Sequence, residues 1–225
     1  MTTQSDELLH TIRTQLTTAQ LGDVLDAMGA RHQFLPPGLQ PLDRSHMLVG
    51  YAMTVLEADC AADTTGEGTD AAFGLMFKAL DNLRSNEVYI CTGGTPRYAL
   101  WGELMTSRAR ELKAAGAVLD GYHRDTRGIE RQDFPVFSRG AYAQDQRVRG
   151  RVIDYRCPIE FGNGTMVRDG DIIVGDVDGV IVVPRDRAEE VVELALAKLR
   201  IENDVRDMIE AGESTSDIFE RTGVM

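Results

Sequence analysis

The spacing of apolar positions changes several times along the chain, and each change marks an element. Residues 5–14 and 18–28 repeat apolar side chains every three or four positions, which predicts two amphipathic helices. In the second, Leu21, Val24, Leu25 and Met28 share one face, Thr17 or Thr18 stands as N-cap, and Gly29 fits the C′ position. The proline-rich QFLPPGLQPL is a connector, and SHMLVGYAMTVL (45–56) alternates as a strand does. A small, polar, glycine-containing stretch, ADCAADTTGEGTDA, reads as a loop and leads into a helix over about 70–82. EVYICT (87–92) is a strand, GGTP a turn, RYALWGELMTSRARELKAAG (97–116) a helix stopped by Gly116, and AVLDGY (117–122) a second strand.

That order, strand–loop–helix–strand, has the length of a βαβ unit, whose two strands lie parallel. Further on, PVFSRG, RVRGRVIDY, DIIVGD and GVIVVP are strand-like, with DG turns at 169–170 and 178–179. A long helix follows over about 185–209, then a short one capped by Ser214 or Thr215. No repeat, low-complexity tract or linker interrupts the chain. The expectation is a single α/β domain over 1–225, with its core at about 17–185 and a C-terminal helical arm at about 186–225.

Composition narrows the function. The 225 residues are 43% apolar and 27% charged, ordinary for a soluble globular protein. No run approaches the roughly 18 consecutive apolar residues of a membrane span, and MTTQSDELLH lacks a basic flank and an apolar stretch, so a cytoplasmic protein is expected. Cys60, Cys91 and Cys157 lie far apart and suggest neither disulfides nor zinc. The four histidines show no helical ligand spacing, so a bound metal would take oxygen ligands, as Mg²⁺ or Mn²⁺ does. A formal net charge of −12 disfavours nucleic acid and draws attention to arginines that could hold a small anion.

The parallel strands bring two loops to one sheet edge, where open α/β sheets place ligands. One holds Gly93, Gly94, Thr95 and Pro96; the other holds Tyr122, His123, Arg124 and Asp125. Glycines such as Gly94 let a ligand approach the backbone, and the next helix N-terminus offers free amides to an anion. Arg124 suits a carboxylate, Asp125 a hard cation, and Glu103 a metal-held water. His123 reads as a packing residue, as do Cys91, Tyr98 and Trp101. Asp176–Gly179 reads as a β-turn. Lys78 and Lys113 fall on predicted helices as solvated side chains, so imine chemistry is not expected.

TTAQLGDVLDAMG, GG-x(7)-GE, an acidic residue twenty positions before Arg–Asp, and GDIIVGDVDGVIVVP occur here in that order. This pattern, over roughly 17–210, resembles the RraA-like proteins and 4-hydroxy-4-methyl-2-oxoglutarate (HMG) aldolases. The resemblance implies a swivelling β/β/α sandwich and a class II lyase that releases pyruvate by retro-aldol cleavage or decarboxylates oxaloacetate. It implies that Arg124 binds the pyruvyl group and Asp125 ligates Mg²⁺ or Mn²⁺. Glu103 would hold water, and backbone amides from Gly102 through Leu104 to Met105 would complete the substrate site. It also implies a homotrimer or homohexamer, with Glu202 of a neighbouring subunit reaching the site. Where the aldolases usually carry aspartate this chain has Glu103, whose extra methylene moves the carboxylate by roughly 1.5 Å. The loop at 58–68 also departs from the aldolase pattern. Two alternatives accompany the resemblance: a dehydratase or other lyase acting on a sugar-acid-derived oxo acid, and a non-catalytic regulator of an RNA-degrading endonuclease.

Overall fold

The computed structural model describes residues 4–60 and 72–224. Most of the expected loop at 58–68, and the start of the helix expected from about 70, lie outside these residues.

The N-terminal helices form where expected, α1 at Gln4–Gln15 and α2 at Thr18–Ala27. Thr17 caps α2 through a reciprocal capping box with Gln20, and Gly29 adopts φ +82 just beyond the C-cap. The sheet then assembles from β1 (Gln40–Pro41), β2 (Leu48–Asp59), β3 (Glu87–Thr92), β5 (Gly116–Leu119), β7 (Val136–Ser138), β11 (Ile172–Asp176) and β12 (Gly179–Val183), while β9 (Ile159–Glu160) and β10 (Met166–Val167) pair as a separate ribbon. Its order is β1-β7-β5-β3-β2-β11-β12, and β2, β3, β5 and β7 run parallel. β2 is long enough to pair twice on one side: its first half with β11, its second half with β8 (Gly150–Tyr155). A bulge interrupts the β2–β8 ladder at the Leu56–Glu57 step.

Both faces of the sheet are covered, which explains strands with almost no exposed positions. On one side α1, α2 and the start of a long helix, α6 (Ala188–Glu210), bury Leu9, Leu21, Leu25, Val191 and Ala195 against Val174 and Ile181. Further along the same face, Met53, Tyr89, Leu119 and Phe134 pack with α3 (Met76–Asp81), while the opposite face buries Leu48, Val88, Val118, Ile173 and Val182 with Leu39 and Phe161. The C-terminal arm is therefore rooted in the core at Ala188–Ala195 and extends beyond it, ending in α7 (Thr215–Thr222) with Ser214 as N-cap. Asp176 accepts from both the backbone N–H and the hydroxyl of Thr18 (2.8 Å each), and Asp178 donates its N–H to Asp176, so this acidic pair serves a turn and a helix start.

The crossover differs from expectation in one consequential way. Residues expected at the start of its helix form a strand, β4 (Ala99–Trp101), and the helix α4 runs only from Glu103 to Glu111. Ala99, Leu100 and Trp101 are all buried, a run with no polar face, so an extended conformation that packs on both sides wins. The helix also stops early. Lys113, with φ +61, makes the turn, and Gly116 opens β5, where a Cβ would lie 2.4 Å from Leu48 and 2.7 Å from the Pro135 carbonyl. The expected second strand likewise divides into β5 and β6 (Tyr122–His123).

Candidate active site

β4 and β6 pair in parallel beyond the ends of β3 and β5, and the Arg124 N–H donates to the Trp101 carbonyl (2.9 Å). This second, small ribbon carries the site one step further than a simple βαβ edge would. It sets Gly102 directly beside Arg124 and Asp125. Gly102 is the N-cap of α4 and has no side chain with which to cap it, so the first-turn amides stay available. The Glu103 N–H only approaches Asp125 Oδ2, at 3.4 Å. A Cβ on Gly102 would stand 2.7 Å from that oxygen, so glycine is what lets the carboxylate lie across the helix start.

Asp125 is in the left-handed region (φ 59, ψ 35) and begins the short helix α5 (Thr126–Glu130). Aspartate tolerates that conformation better than most residues. Arg124 stands between two carboxylates: its Nε is 3.8 Å from Asp125 and its Nη1 3.3 Å from Asp145. All three side chains are two-fifths to one-half exposed (39%, 48% and 39%), so they face solvent and not the core. They line a cavity of about 180 Å³ whose other walls include Phe77, Trp101 and Leu104. That volume, smaller than drug-sized ligand sites, suits a molecule of a few carbons.

The floor of the cavity is different. Gln146 lines it and donates from Nε2 to Glu57 Oε2 at 2.6 Å. Glu57 is 2% exposed, and burial drives its carboxyl up to about 8 against the opposing effect of that hydrogen bond. Its Oε1 and the Tyr89 hydroxyl are both buried without partners among the described residues. Two residues along β2, Asp59 behaves in the opposite way. Burial pushes against its charge, but the Thr95 N–H (2.9 Å) and the Tyr98 hydroxyl (2.8 Å) hold it below the usual carboxylate range.

Of the residues singled out by sequence, Gly102, Leu104, Met105, Arg124 and Asp125 meet at this cavity. Glu103 begins the same helix, but its carboxyl turns away, lying over Gly128 and 3.4 Å from Arg131. Gly94 lies outside the cavity lining, where a Cβ would meet the Tyr98 hydroxyl at 2.7 Å; β4 separates it from the helix start it was expected to precede. Glu202, on α6, accepts from Gln20 (2.7 Å) and faces Lys198 within its own chain. His123 is buried between Ser138 (2.8 Å) and Thr126 (3.1 Å), and burial lowers its pKa, so it is a neutral packing residue. Asp145, Gln146 and Glu57 were not anticipated. Only Glu57 left a signal, an acidic residue at the end of an otherwise apolar strand.

Comparison with known proteins agrees with this architecture. The RraA-like family model, described as Aldolase/RraA, matches residues 18–182. A relative from Halalkalibacterium halodurans, named "Putative 4-hydroxy-4-methyl-2-oxoglutarate aldolase", is 31% identical over 81% of this chain and 80% of its own length. Protein DlpA of Legionella pneumophila is 29% identical over 87% of this chain, which spans only 30% of that protein. The crystal structure of an uncharacterized protein from Pseudomonas syringae pv. tomato superposes with a TM-score of 0.83 at 26% identity, covering 98% of this chain and 96% of that one. The chain belongs to the RraA-like family.

Proposed function

We propose that this protein is a divalent-metal-dependent carbon–carbon lyase that binds the pyruvyl end of a small 2-oxo acid. It would cleave the C3–C4 bond of an HMG-like substrate and decarboxylate oxaloacetate. The observation that carries this reading is the meeting of Arg124, Asp125 and the uncapped start of α4 on one small cavity. The aldolase name borne by the H. halodurans relative supports it.

The donor set fits a hydrated Mg²⁺ or Mn²⁺. Among the described residues no group of three His, Cys, Asp or Glu is placed to hold a metal, so a site here would rest on one or two carboxylates with water and substrate. Asp125 offers a half-exposed carboxylate of that kind. When bound, the cation supplies Lewis-acid polarisation of the substrate's keto group.

The remaining work falls to the chain itself. Arg124 donates to the substrate carboxylate and to the keto oxygen, where negative charge grows as the enolate forms. The amides of Gly102 to Met105 present the positive end of α4 to the same anion. Asp145, across from Arg124, holds a water that takes the C4-hydroxyl proton during retro-aldol cleavage. Glu202 from a neighbouring subunit in a trimer or hexamer would complete that water site on assembly.

The test is pyruvate release from HMG and from oxaloacetate, measured with Mg²⁺, with Mn²⁺ and with EDTA. Turnover above the metal-only background that EDTA abolishes supports the reading. Absence of turnover on both substrates by folded, metal-saturated protein would overturn it and favour another lyase substrate or the regulator reading.

A further inference from the structure

The cavity floor is built with more care than pyruvate binding requires. Gln146 is almost fully buried (2% exposed) yet forms part of the lining, and its amide nitrogen is committed to Glu57 at 2.6 Å. An amide held by its nitrogen has its carbonyl oxygen left over. No donor among the described residues reaches that oxygen. Glu57 in turn is fixed by its strand. It sits at the step where β8 gains an extra residue opposite β2, a bulge of the kind that re-aims side chains beside functional sites. Trp101, buried, lines the same cavity as Gln146, and Tyr98, also buried, lies near Glu57. The floor thus offers one oriented hydrogen-bond acceptor in an otherwise apolar wall, one residue along the chain from the Asp145 that faces Arg124.

We propose that Gln146, held in place by Glu57, is a specificity-determining acceptor for a hydroxyl on the half of the substrate that leaves as the aldehyde. The inference rests on the lyase reading above and deepens it by naming the substrate class: 4-hydroxy-2-oxo acids with a further hydroxyl at C5. The reaction is 4,5-dihydroxy-2-oxopentanoate to pyruvate and glycolaldehyde. The C4 hydroxyl loses its proton, the electron pair this leaves on oxygen forms the aldehyde carbonyl, and the C3–C4 pair becomes the pyruvate enolate. That enolate then takes a proton at C3, so atoms and charge balance without a redox partner. Gln146 touches the substrate; Glu57 acts through Gln146 and is a positioning residue.

A buried acceptor discriminates strongly, because a substrate lacking the donor leaves it desolvated and unpaired. The experiment compares 4,5-dihydroxy-2-oxopentanoate with 4-hydroxy-2-oxopentanoate, which breaks the same bond and lacks only the C5 hydroxyl. The wild type should favour the dihydroxy acid in kcat/KM by about 10²-fold. In Gln146→Met, which keeps the side-chain volume, that ratio should fall to about 10 or less. Glu57→Leu should lower the ratio in the same way, whereas Glu57→Gln, which retains an oxygen acceptor for the Gln146 amide, should restore it. A purely structural role for Glu57 would not separate these last two variants by substrate. A wild-type enzyme that turns over both acids with no preference, or a ratio unmoved in Gln146→Met, overturns the inference while the lyase reading stands. A wild type that releases pyruvate from neither acid nor from oxaloacetate overturns both.

Discussion

At the mouth of the cavity Asp125 and Asp145 are 48% and 39% exposed and stand beside Arg124, while at its floor Glu57 is 2% exposed and, among the described residues, its carboxyl is hydrogen-bonded to one amide. The same functional group is thereby put to two uses. At the mouth, the carboxylates face solvent beside a guanidinium and are free to meet a cation or a proton. At the floor, burial favours the neutral acid, which serves as a fixed point for its neighbour. Mouth residues should therefore govern rate with little effect on stability, and floor residues should govern stability and selectivity.

The largest expected effect is at the mouth. Arg124→Ala should lower kcat/KM by about 10²–10³-fold through loss of charge stabilisation at the enolate, with the melting temperature nearly unchanged. Steady-state kinetics paired with thermal unfolding checks both halves of that statement.

Next comes Gly102→Ala, which sets a methyl group 2.7 Å from Asp125 Oδ2. The carboxylate must move, and a displacement of about 1 Å at a reacting centre costs roughly 10²-fold in rate. Higher metal concentration should recover part of the loss, because Asp125 is displaced and not removed.

The smallest effect on activity, and the most direct on stability, belongs to Glu57. Its carboxyl titrates at 4.5 in the absence of structure and at about 8 in the folded protein, so the folded state holds the extra proton between those values. Its contribution is fully present below pH 4.5 and is lost as pH rises through about 8. Glu57→Gln removes that dependence. Its stability should therefore rise relative to wild type as pH climbs from about 4.5 to about 8, by on the order of a few kcal/mol in all, read from melting curves across that range. Parallel melting curves for the two proteins would show the floor carboxyl to be charged already if no such divergence exists.

Much of the mouth was legible in the sequence. Arg124 and Asp125 follow a short apolar strand, and a parallel crossover brings their loop to the ligand edge whatever the details of the sheet. The position of the helix start was not. A run such as Tyr98–Trp101 satisfies helical spacing and a buried strand equally well, and only its pairing with Tyr122–His123 decides between them. That one strand moves Gly94 out of the cavity lining and leaves Gly102 as the glycine at the ligand. The floor was less legible still. Gln146 lies in AYAQDQRVRG, which carries no period and no motif, and it reaches the cavity only because the chain passes beside Ala99 on its way to β8. Contacts between segments so far apart in sequence leave no local trace.

The central claim is that the mouth of this cavity is a pyruvyl-enolate site organised by Arg124. Oxalate, a planar dianion that mimics the enolate and carries no scissile bond, tests it without turnover. Calorimetric titration of oxalate into the protein with Mg²⁺ or Mn²⁺ should give one site per chain, abolished by EDTA and by Arg124→Ala but retained in Glu57→Gln. Binding that is equally strong without metal, or undiminished by Arg124→Ala, would contradict the account.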